Sequence, residues 1–416
     1  MSSNHALVFG ASGITGWAIT NLILNGYPTP DTFESVTALT NRPLGAEAAQ
    51  WPSSSKLQIV SGIDILTSKG QSGLEEELKS KVSHMSKVTH VYFFGTRKSD
   101  FVFGNITYQK TAYIMDADPA KEISTNVDLL SRAIRAVEVL APNLKFVVLP
   151  TGTKAYGVHL IDEFPFKNDL PMKESLPRIP EPHASQMFYY NQCDELAALS
   201  KGKAWTWCDV IPDVIVGFVP NNNIYCLAQA LGLYLSLYAE INGKGSEVEF
   251  PGTEESWKIL SNDSSQDIVA KVAIHASLHP EISSGQRYNA ADNSKASSWS
   301  QKWPIICEYF GLKGVAPPSG GSGPQPTQYL ADHIDQWKEV EKKYGLVTGR
   351  VGNERSFGGF PYFIMTMFNF DRNLDMSQVH EMWGEAKEEV DTKAAWWTAF
   401  DRFRKAKIIP QAIVVN

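Results

Sequence analysis

The stretch VFGASGITGW, Val8–Trp17, places three glycines between an apolar run and a helical pattern. Gly10 permits a tight turn after the strand, and Gly13 lets backbone N–H groups approach a pyrophosphate at the positive end of the following helix. Glycines at this spacing are a weak signal alone, but they are a strong one between an N-terminal strand and an amphipathic helix. A plain strand-to-helix turn is the alternative. The predicted dinucleotide loop comprises Gly10, Ser12, Gly13, Ile14, Thr15 and Gly16.

Strand-like and helical patterns alternate through the first half of the chain. Strands are predicted at His5–Phe9, Val36–Thr40, Leu57–Val60, His90–Phe94, Phe146–Leu149 and Thr206–Ile211. Helices are predicted at Trp17–Asn25 and at Ile123–Leu140, where apolar residues recur at spacings of three and four. This alternation predicts an α/β fold, a Rossmann-type doubly wound parallel sheet with helices on both faces.

The second half has longer helical patterns and more aromatic residues. Helices are predicted at Ile224–Tyr238 and Gln266–His279, and a last one carries an aromatic stripe of Trp396, Phe400 and Phe403 that is more easily explained as core than as ligand contact. The Gly- and Pro-rich stretch 314–328 predicts a mobile surface loop. We expect an NADP-binding domain at 1–217 and a smaller, mostly helical substrate-binding part at 218–416, interleaved with the sheet.

Composition excludes several classes of partner. The 416 residues are 43% hydrophobic and carry a net charge of -7 without a basic stripe, so a large core is expected and a nucleic-acid partner is not. Four separated cysteines predict buried, reduced thiols and no metal site. With no signal peptide and no run long enough to span a bilayer, a soluble cytoplasmic protein is expected, and a homodimer is left open.

The end of the second predicted strand indicates which dinucleotide binds. In LTNRPLG, Leu39–Gly45, no carboxylate is present to hold ribose hydroxyls, whereas Arg42, beside Asn41, matches a 2′-phosphate in charge and geometry. We therefore predict NADP(H), with a solvated arginine as the alternative. The ends of the third and fourth strands add further candidate contacts to the cofactor: Asp64, Ile65, Gly95 and Thr96.

The stretch FYYNQCDEL, Phe188–Leu196, contains a candidate proton donor but not the lysine expected four residues after it. Upstream, the loop after the strand that ends at Leu149 presents Thr151 and Lys154 at the carboxyl edge of the sheet. An ammonium there would favour the phenolate of Tyr189 and lower its pKa. On these residues alone, a solvated surface lysine is the commoner explanation.

Motifs along almost the whole chain resemble the progesterone 5β-reductase/iridoid synthase family of the short-chain dehydrogenase/reductase superfamily. They are GASGITG, TNRP, THVYFFGT, EISTNVDLLSRAI, LKFVVLPTGTKAYG, FPFKNDLP, MFYYNQCDEL, IPDVIVGFVPNNN, WPIICEYFGLKG, LDMSQVHEMWG and WWTAFDRFRKAKIIP. The resemblance implies that Lys154 and Tyr189 form the working pair and that both also contact the cofactor. It further implies backbone contact from Val214 to the carboxamide, and Asn126 on the long helix is another candidate contact to the cofactor.

The resemblance also implies a reaction, transfer of hydride from NADPH to the β-carbon of an apolar enone or enal, with Tyr189 stabilising the enolate. The sequence departs from the family at 97–121, a longer segment expected to border the active-site mouth. Asn41 stands where many members carry a second arginine. The aromatic run Ser356–Phe370 is equally well explained as a substrate-pocket wall and as core.

Other functions fit the same residues. Carbonyl reduction would use the same tyrosine to protonate an alkoxide. A non-redox isomerisation or cyclisation would use the cofactor as a scaffold. A non-catalytic NADP-sensing regulator would need neither Lys154 nor Tyr189 near the nicotinamide, and fold alone does not exclude it.

Overall fold

The centre of the protein is a parallel sheet of seven strands. The computed structural model describes residues 3–94, 118–353 and 358–411, and the backbone of 100–103 and 106–109. The strands in the described residues are β1 (Asn4–Phe9), β2 (Phe33–Thr40), β3 (Leu57–Ser61), β4 (His90–Phe93), β5 (Asp100–Phe103), β6 (Ile106–Gln109), β7 (Phe146–Pro150), β8 (Thr206–Pro212), β9 (Ile215–Val216), β10 (Glu247–Glu249), β11 (Leu260–Ser261), β12 (Ser264–Ser265), β13 (Arg287–Ala290), β14 (Ser297–Ser298) and β15 (Lys313–Val315).

The order of the strands creates a crevice at the carboxyl edge of the sheet. The order is β13-β8-β7-β4-β1-β2-β3, so the chain builds outward from β1 to β3 and then returns to β4 on the other side of β1. In open α/β sheets, ligands bind where the strand order reverses. The predicted Rossmann-type sheet is confirmed: its strand order reverses between β1 and β4, and the glycine loop follows β1 at this point.

Helices cover both faces of the sheet. The helices in the described residues are α1 (Ile14–Leu24), α2 (Ala46–Ala49), α3 (Gly70–Lys81), α4 (Pro119–Leu140), α5 (Phe188–Ser200), α6 (Leu227–Asn242), α7 (Glu254–Lys258), α8 (Gln266–Leu278), α9 (Pro280–Ser283), α10 (Trp299–Glu308), α11 (Pro326–Asp332), α12 (Ile334–Tyr344), α13 (Phe360–Tyr362), α14 (Ser377–Trp383) and α15 (Thr392–Lys405). Alternate residues of β1 point to opposite cores: Val8 packs with α1 and α8, and Phe9 packs with α3 and α4. Burial on both faces explains why the strands read as continuous apolar runs.

The second half of the chain is joined to the sheet through a shared core. Its strand β13 pairs with β8, and α8 packs against α1. The aromatic stripe of α15, Trp396, Phe400 and Phe403, is buried in the same core as expected. The division at 217/218 and the substrate-binding role of the second part stay predictions.

The prediction of a mobile loop over 314–328 is wrong at both ends. Residues Lys313–Val315 form β15, which pairs with β10, and α11 begins at Pro326. Gly314 lies so close to Trp303 that an added Cβ atom would approach the indole to 2.8 Å, and the Gly323 N–H donates to the Phe250 carbonyl. These glycines allow close packing, which a sequence pattern cannot distinguish from chain flexibility.

Two other expectations concern cysteines and membranes. Cys208, Cys226 and Cys307 are buried free thiols, and Cys193 is half-buried, in line with the prediction. Among the helices in the described ranges, none has the length and apolar character needed to cross a bilayer.

Candidate cofactor site and active site

The glycine loop has the geometry of a phosphate cradle. Gly10 adopts a positive φ of 73°, and an added Cβ atom would lie 2.0 Å from the Phe94 carbonyl oxygen, so only glycine fits. A Cβ atom on Gly16 would lie 2.4 Å from the Gly10 carbonyl oxygen, which lets α1 start close to the turn. No side chain caps the first turn of α1 after Gly13. The backbone N–H groups of Ile14 and Thr15 therefore fit an anion in the way that a dinucleotide pyrophosphate requires.

The predicted adenosine contacts follow β2 and β3 at the same edge of the sheet. Arg42 is half-buried and donates from Nη2 to the Asn222 carbonyl at 3.4 Å, whereas Asn41 is exposed. Asp64 is exposed, and its Oδ1 accepts the Leu66 N–H. Ile65 is buried. Gly95 and Thr96 lie outside the described residues, and so does most of the 97–121 segment, of which the described part forms the β5–β6 hairpin and the start of α4.

Lys154 lies in a short 3₁₀ turn, Thr153–Tyr156, directly after β7. The turn is held on both sides: the Tyr156 hydroxyl donates to Asn289 Oδ1 of β13 at 2.8 Å, and the Thr153 hydroxyl donates to Asp213 Oδ1 at 3.0 Å. Lys154 itself is half-buried. The interpretation as a freely solvated surface lysine is therefore disfavoured.

Tyr189 lies in the first turn of α5, with 7% of its surface exposed. A Cβ atom placed on Gly152 would lie 3.7 Å from the Tyr189 hydroxyl oxygen, so the phenol reaches the carboxyl end of β7, two residues before Lys154. The structure thus brings the phenol to the start of the lysine-bearing turn, although the two residues are 35 positions apart in the sequence.

Tyr190, which sequence reasoning treated as a packing neighbour, connects these two elements. Its hydroxyl donates to the Ala155 carbonyl at 2.5 Å and accepts the Ile179 N–H at 3.0 Å. Because Ala155 follows Lys154 and Tyr190 follows Tyr189, this hydrogen bond fixes the position of α5 relative to the turn. The adjacent tyrosines in FYY are the only signal for this role in the sequence.

The pKa of Tyr189 shifts in the direction opposite to the prediction. Burial raises the pKa of this phenol well above its usual value, and the charges of Asp209 and Glu122 raise it further. Burial also lowers the pKa of the Lys154 ammonium, while Glu122 raises it. Desolvation and these negative charges set the direction of the shift, and Tyr189 is a neutral hydrogen-bond donor at neutral pH.

Glu122 is a residue of this site that sequence reasoning missed. It lies half-buried in the first turn of α4, and its charge acts on Lys154, Tyr189 and Tyr225. A glutamate in the first turn of a helix is ordinarily explained by the helix dipole. Nothing in its sequence context indicates that α4 starts beside the lysine-bearing turn.

Buried ion pairs lie behind the reactive side chains. Asp209, fully buried on β8, pairs with Arg287 of β13 at 3.0 Å and accepts the Thr151 hydroxyl at 2.6 Å. Asp213, at the end of β8, pairs with Arg372 at 2.9 Å, with both side chains 2% exposed. The predicted contact Thr151 is thus oriented by Asp209, and the start of the Lys154 turn is oriented by Asp213.

The two remaining predicted contacts differ in their surroundings. Val214 is half-buried between β8 and β9, at the carboxyl edge where a nicotinamide would pass. Asn126 is buried on α4; its side-chain amide donates to the Glu122 carbonyl at 2.8 Å, and its carbonyl accepts from Gln192 of α5. Asn126 therefore contributes to the α4–α5 interface, and its cofactor contact stays a prediction.

Aromatic residues from the C-terminal half reach the same region. The rings of Tyr225 and Phe360 meet edge to face at 5.4 Å, and the charge of an ionised Tyr225 would raise the pKa of Tyr189. Arg372 lies over the Phe368 ring at 4.5 Å, which links the aromatic segment to Asp213. Of the predicted wall, residues 356–357 lie outside the described residues. The described residues of this segment pack partly into the core and lie partly near the region of Tyr189 and Lys154.

Comparison with known proteins shows which family the chain is similar to. A family model described as a PRISE-like Rossmann-fold domain matches residues 6–410. Short chain dehydrogenase sirQ of Leptosphaeria maculans is 32% identical over 412 residues, with 97% of either chain covered. The 3-oxo-Delta(4,5)-steroid 5-beta-reductase of Arabidopsis thaliana is 28% identical over 312 residues, which cover 74% of this chain and 69% of that enzyme.

The fold also matches solved structures at low sequence identity. RMD from Pseudomonas aeruginosa, solved in complex with NADPH, superimposes with a TM-score of 0.54 at 10% identity, covering 97% of this chain and 99% of that one. A likeness at this identity concerns the fold alone.

Proposed function

The chain belongs to the PRISE-like Rossmann-fold family, as its motifs indicated, and from that premise we propose that this oxidoreductase is an NADPH-dependent ene-reductase. Its substrate would be an apolar enone or enal, reduced at the β-carbon. The observation that carries the proposal is the position of the Tyr189 hydroxyl at the carboxyl end of β7, beside the turn that holds Lys154. A related steroid reductase acts, by its name, on a 3-oxo-Δ(4,5) substrate, which is an enone.

The residues of the chain suit both halves of such a cofactor. The uncapped start of α1 and the cradle of Gly10 and Gly16 fit the pyrophosphate, and Arg42 fits a 2′-phosphate. A bound NADPH supplies the hydride. The nicotinamide half would pass Thr151 and Val214, which follow β7 and β8.

The chemistry of the reactive end follows from the protonation state of Tyr189. When hydride adds to the β-carbon, the C=C π electrons shift and negative charge develops on the carbonyl oxygen. Tyr189 is a neutral phenol at neutral pH and stays so because burial shifts its pKa further upward, so it donates its O–H to that oxygen, and Lys154 supplies positive charge nearby. A proton from solvent added at the α-carbon would then give the saturated carbonyl compound, so that one hydride and one proton account for the two hydrogens gained.

Substitution of Tyr189 by phenylalanine tests this role. We expect turnover of a simple enone such as cyclohexenone to fall roughly a hundred- to a thousandfold, as for loss of one oxyanion donor. NADPH affinity should stay within about twofold, since the phenyl ring keeps its packing against Phe188. Tyr238→Phe, which removes a hydroxyl bonded to the Glu247 carbonyl, is the matched control. Near-normal turnover in Tyr189→Phe contradicts the proposal.

Product analysis separates the alternatives on the same enone. A saturated ketone supports 1,4-reduction, whereas an allylic alcohol indicates carbonyl reduction. Turnover with unchanged NADPH absorbance indicates a non-redox isomerase or cyclase. No turnover of any tested enone, together with tight NADPH binding, favours a regulator that senses the cofactor.

A further inference from the structure

Arg350 is a buried cation from the far end of the sequence that lies beside the predicted adenosine end of the cleft. It follows α12 in a turn bounded by Gly349 and Gly352, both at a φ of 76°, and it is 8% exposed. Its Nη2 donates to the Pro220 carbonyl at 2.7 Å, and its Nη1 donates to Asn222 Oδ1 at 3.2 Å. These bonds hold the guanidinium in one orientation.

Asn222 joins Arg350 to Arg42. The carbonyl oxygen of Asn222 accepts from Arg42 Nη2, while its side-chain oxygen accepts from Arg350 Nη1. The side-chain amide of Asn222 donates to the Gly349 carbonyl at 3.0 Å, which attaches the turn to the same residue. Two guanidinium groups, 308 positions apart in the sequence (350 − 42), therefore meet on one asparagine.

The electrostatics of this pair favour an anion. Burial lowers the pKa of Arg350 to about 10, and the positive charge of Arg42 contributes to that shift. The positive charges of the two guanidinium groups repel each other. A phosphate dianion beside both would offset the repulsion and gain charge-assisted hydrogen bonds from both forks.

We propose that Arg350 is the second cation of the 2′-phosphate site and acts with Arg42 to select NADPH over NADH. Asn41 occupies the position where many family members carry a second arginine after β2. In this chain the missing charge is supplied through space by the turn after α12. The inference rests on the proposed use of NADPH and adds the residue that sets its specificity.

The experiment compares four cofactor ligands on the full-length protein. Dissociation constants are measured for NADPH, NADH, adenosine 2′,5′-bisphosphate and adenosine 5′-phosphate, with wild type, Arg350→Met, Arg350→Lys and Arg42→Met. Arg404→Met is the matched control, because Arg404 also donates to main-chain carbonyls, those of Pro410 and Tyr309.

We expect Arg350→Met to weaken NADPH and the 2′,5′-bisphosphate roughly ten- to a hundredfold, the effect of losing a charge-assisted hydrogen bond, while NADH changes less than about twofold. Arg350→Lys should recover part of the preference. Equal weakening of NADPH and NADH would reveal a structural role for Arg350 and overturn the inference.

The same measurements separate this inference from the proposed function. If Arg42→Met removes the NADPH preference and Arg350→Met leaves it intact, the cofactor assignment stands and the inference is wrong. If wild type binds NADH as tightly as NADPH, the cofactor assignment and the inference both fail. Thermal unfolding of Arg350→Met with and without the bisphosphate shows whether a loss of binding reflects a loss of fold.

Discussion

The two ends of the predicted cofactor cleft are built in different ways. At the pyrophosphate end, main-chain geometry makes the site: Gly10 and Gly16 bring backbone close to backbone, and the start of α1 is left uncapped. At the reactive end, side chains make the site. Tyr189 and Lys154 come from separate elements, and the turn that carries Lys154 is held by Asn289 and, through Asp213, by Arg372 from the second half of the chain.

This difference determines what each end tolerates. A site made of backbone should be sensitive to an added methyl group and indifferent to distant charges. A site made of side chains should depend on the ion pairs behind it, because a buried charge that loses its partner is strongly destabilising. Three substitutions test the contrast between the two ends.

Arg372→Leu should have the largest effect on stability. It leaves the Asp213 carboxylate buried without its partner, at a cost of about 3–5 kcal/mol in the free energy of unfolding, measured by urea denaturation. Arg178→Leu is the control, because its ion pair with Asp194 is more than half exposed and should contribute less than about 1 kcal/mol. Equal losses in the two variants would show that burial does not distinguish these pairs.

Lys154→Met should lower turnover roughly a hundredfold, as for loss of one charge that stabilises the transition state. The pH dependence sharpens this expectation. Burial lowers the pKa of Lys154, so wild-type turnover should be full below that pKa and fall as pH rises through it. The pKa of Tyr189 is raised, so its phenol should lose its proton only at a higher pH than the Lys154 ammonium. Lys154→Arg keeps its charge at high pH, so the turnover of this variant should not fall over the same pH range. A pH profile equal to that of the wild type would show that a group other than Lys154 titrates.

Gly16→Ala should destabilise the fold by about 1–3 kcal/mol, less than Arg372→Leu, because the new methyl group meets the Gly10 carbonyl at 2.4 Å and α1 must shift. Cofactor binding should weaken with it. Gly45→Ala is the control: Gly45 has a φ of -85° and open space around its Cβ position. If Gly16→Ala binds NADPH as tightly as wild type, the close approach of α1 to the loop is not required.

The contrast also explains what the sequence could predict. Apolar runs located the sheet strands to within a few residues, for instance β1 and β7, because a strand that is buried on both faces consists of consecutive apolar residues. Helix α4 starts four residues earlier than predicted, since Asp118 caps its first turn and Pro119 occupies the first helical position. The glycine loop was identifiable for the same reason: its geometry is local.

The reactive end was only partly predictable, because its properties depend on tertiary packing. The motif resemblance indicated Tyr189 and Lys154, but the direction of the Tyr189 pKa depends on burial and on Asp209, neither of which local sequence reports. Arg372 pairs with Asp213 across 159 positions. Tertiary packing also brings Arg350 and Arg42 together on Asn222, and no rule of sequence spacing connects these three distant positions.

The hydroxyl of Tyr190 has a mechanical consequence. Because one hydroxyl bonds both the Ala155 carbonyl of the lysine-bearing turn and the Ile179 N–H, a shift of α5 away from that turn would break both hydrogen bonds. The hydroxyl thus opposes relative movement of α5, which carries Tyr189, and the turn that carries Lys154.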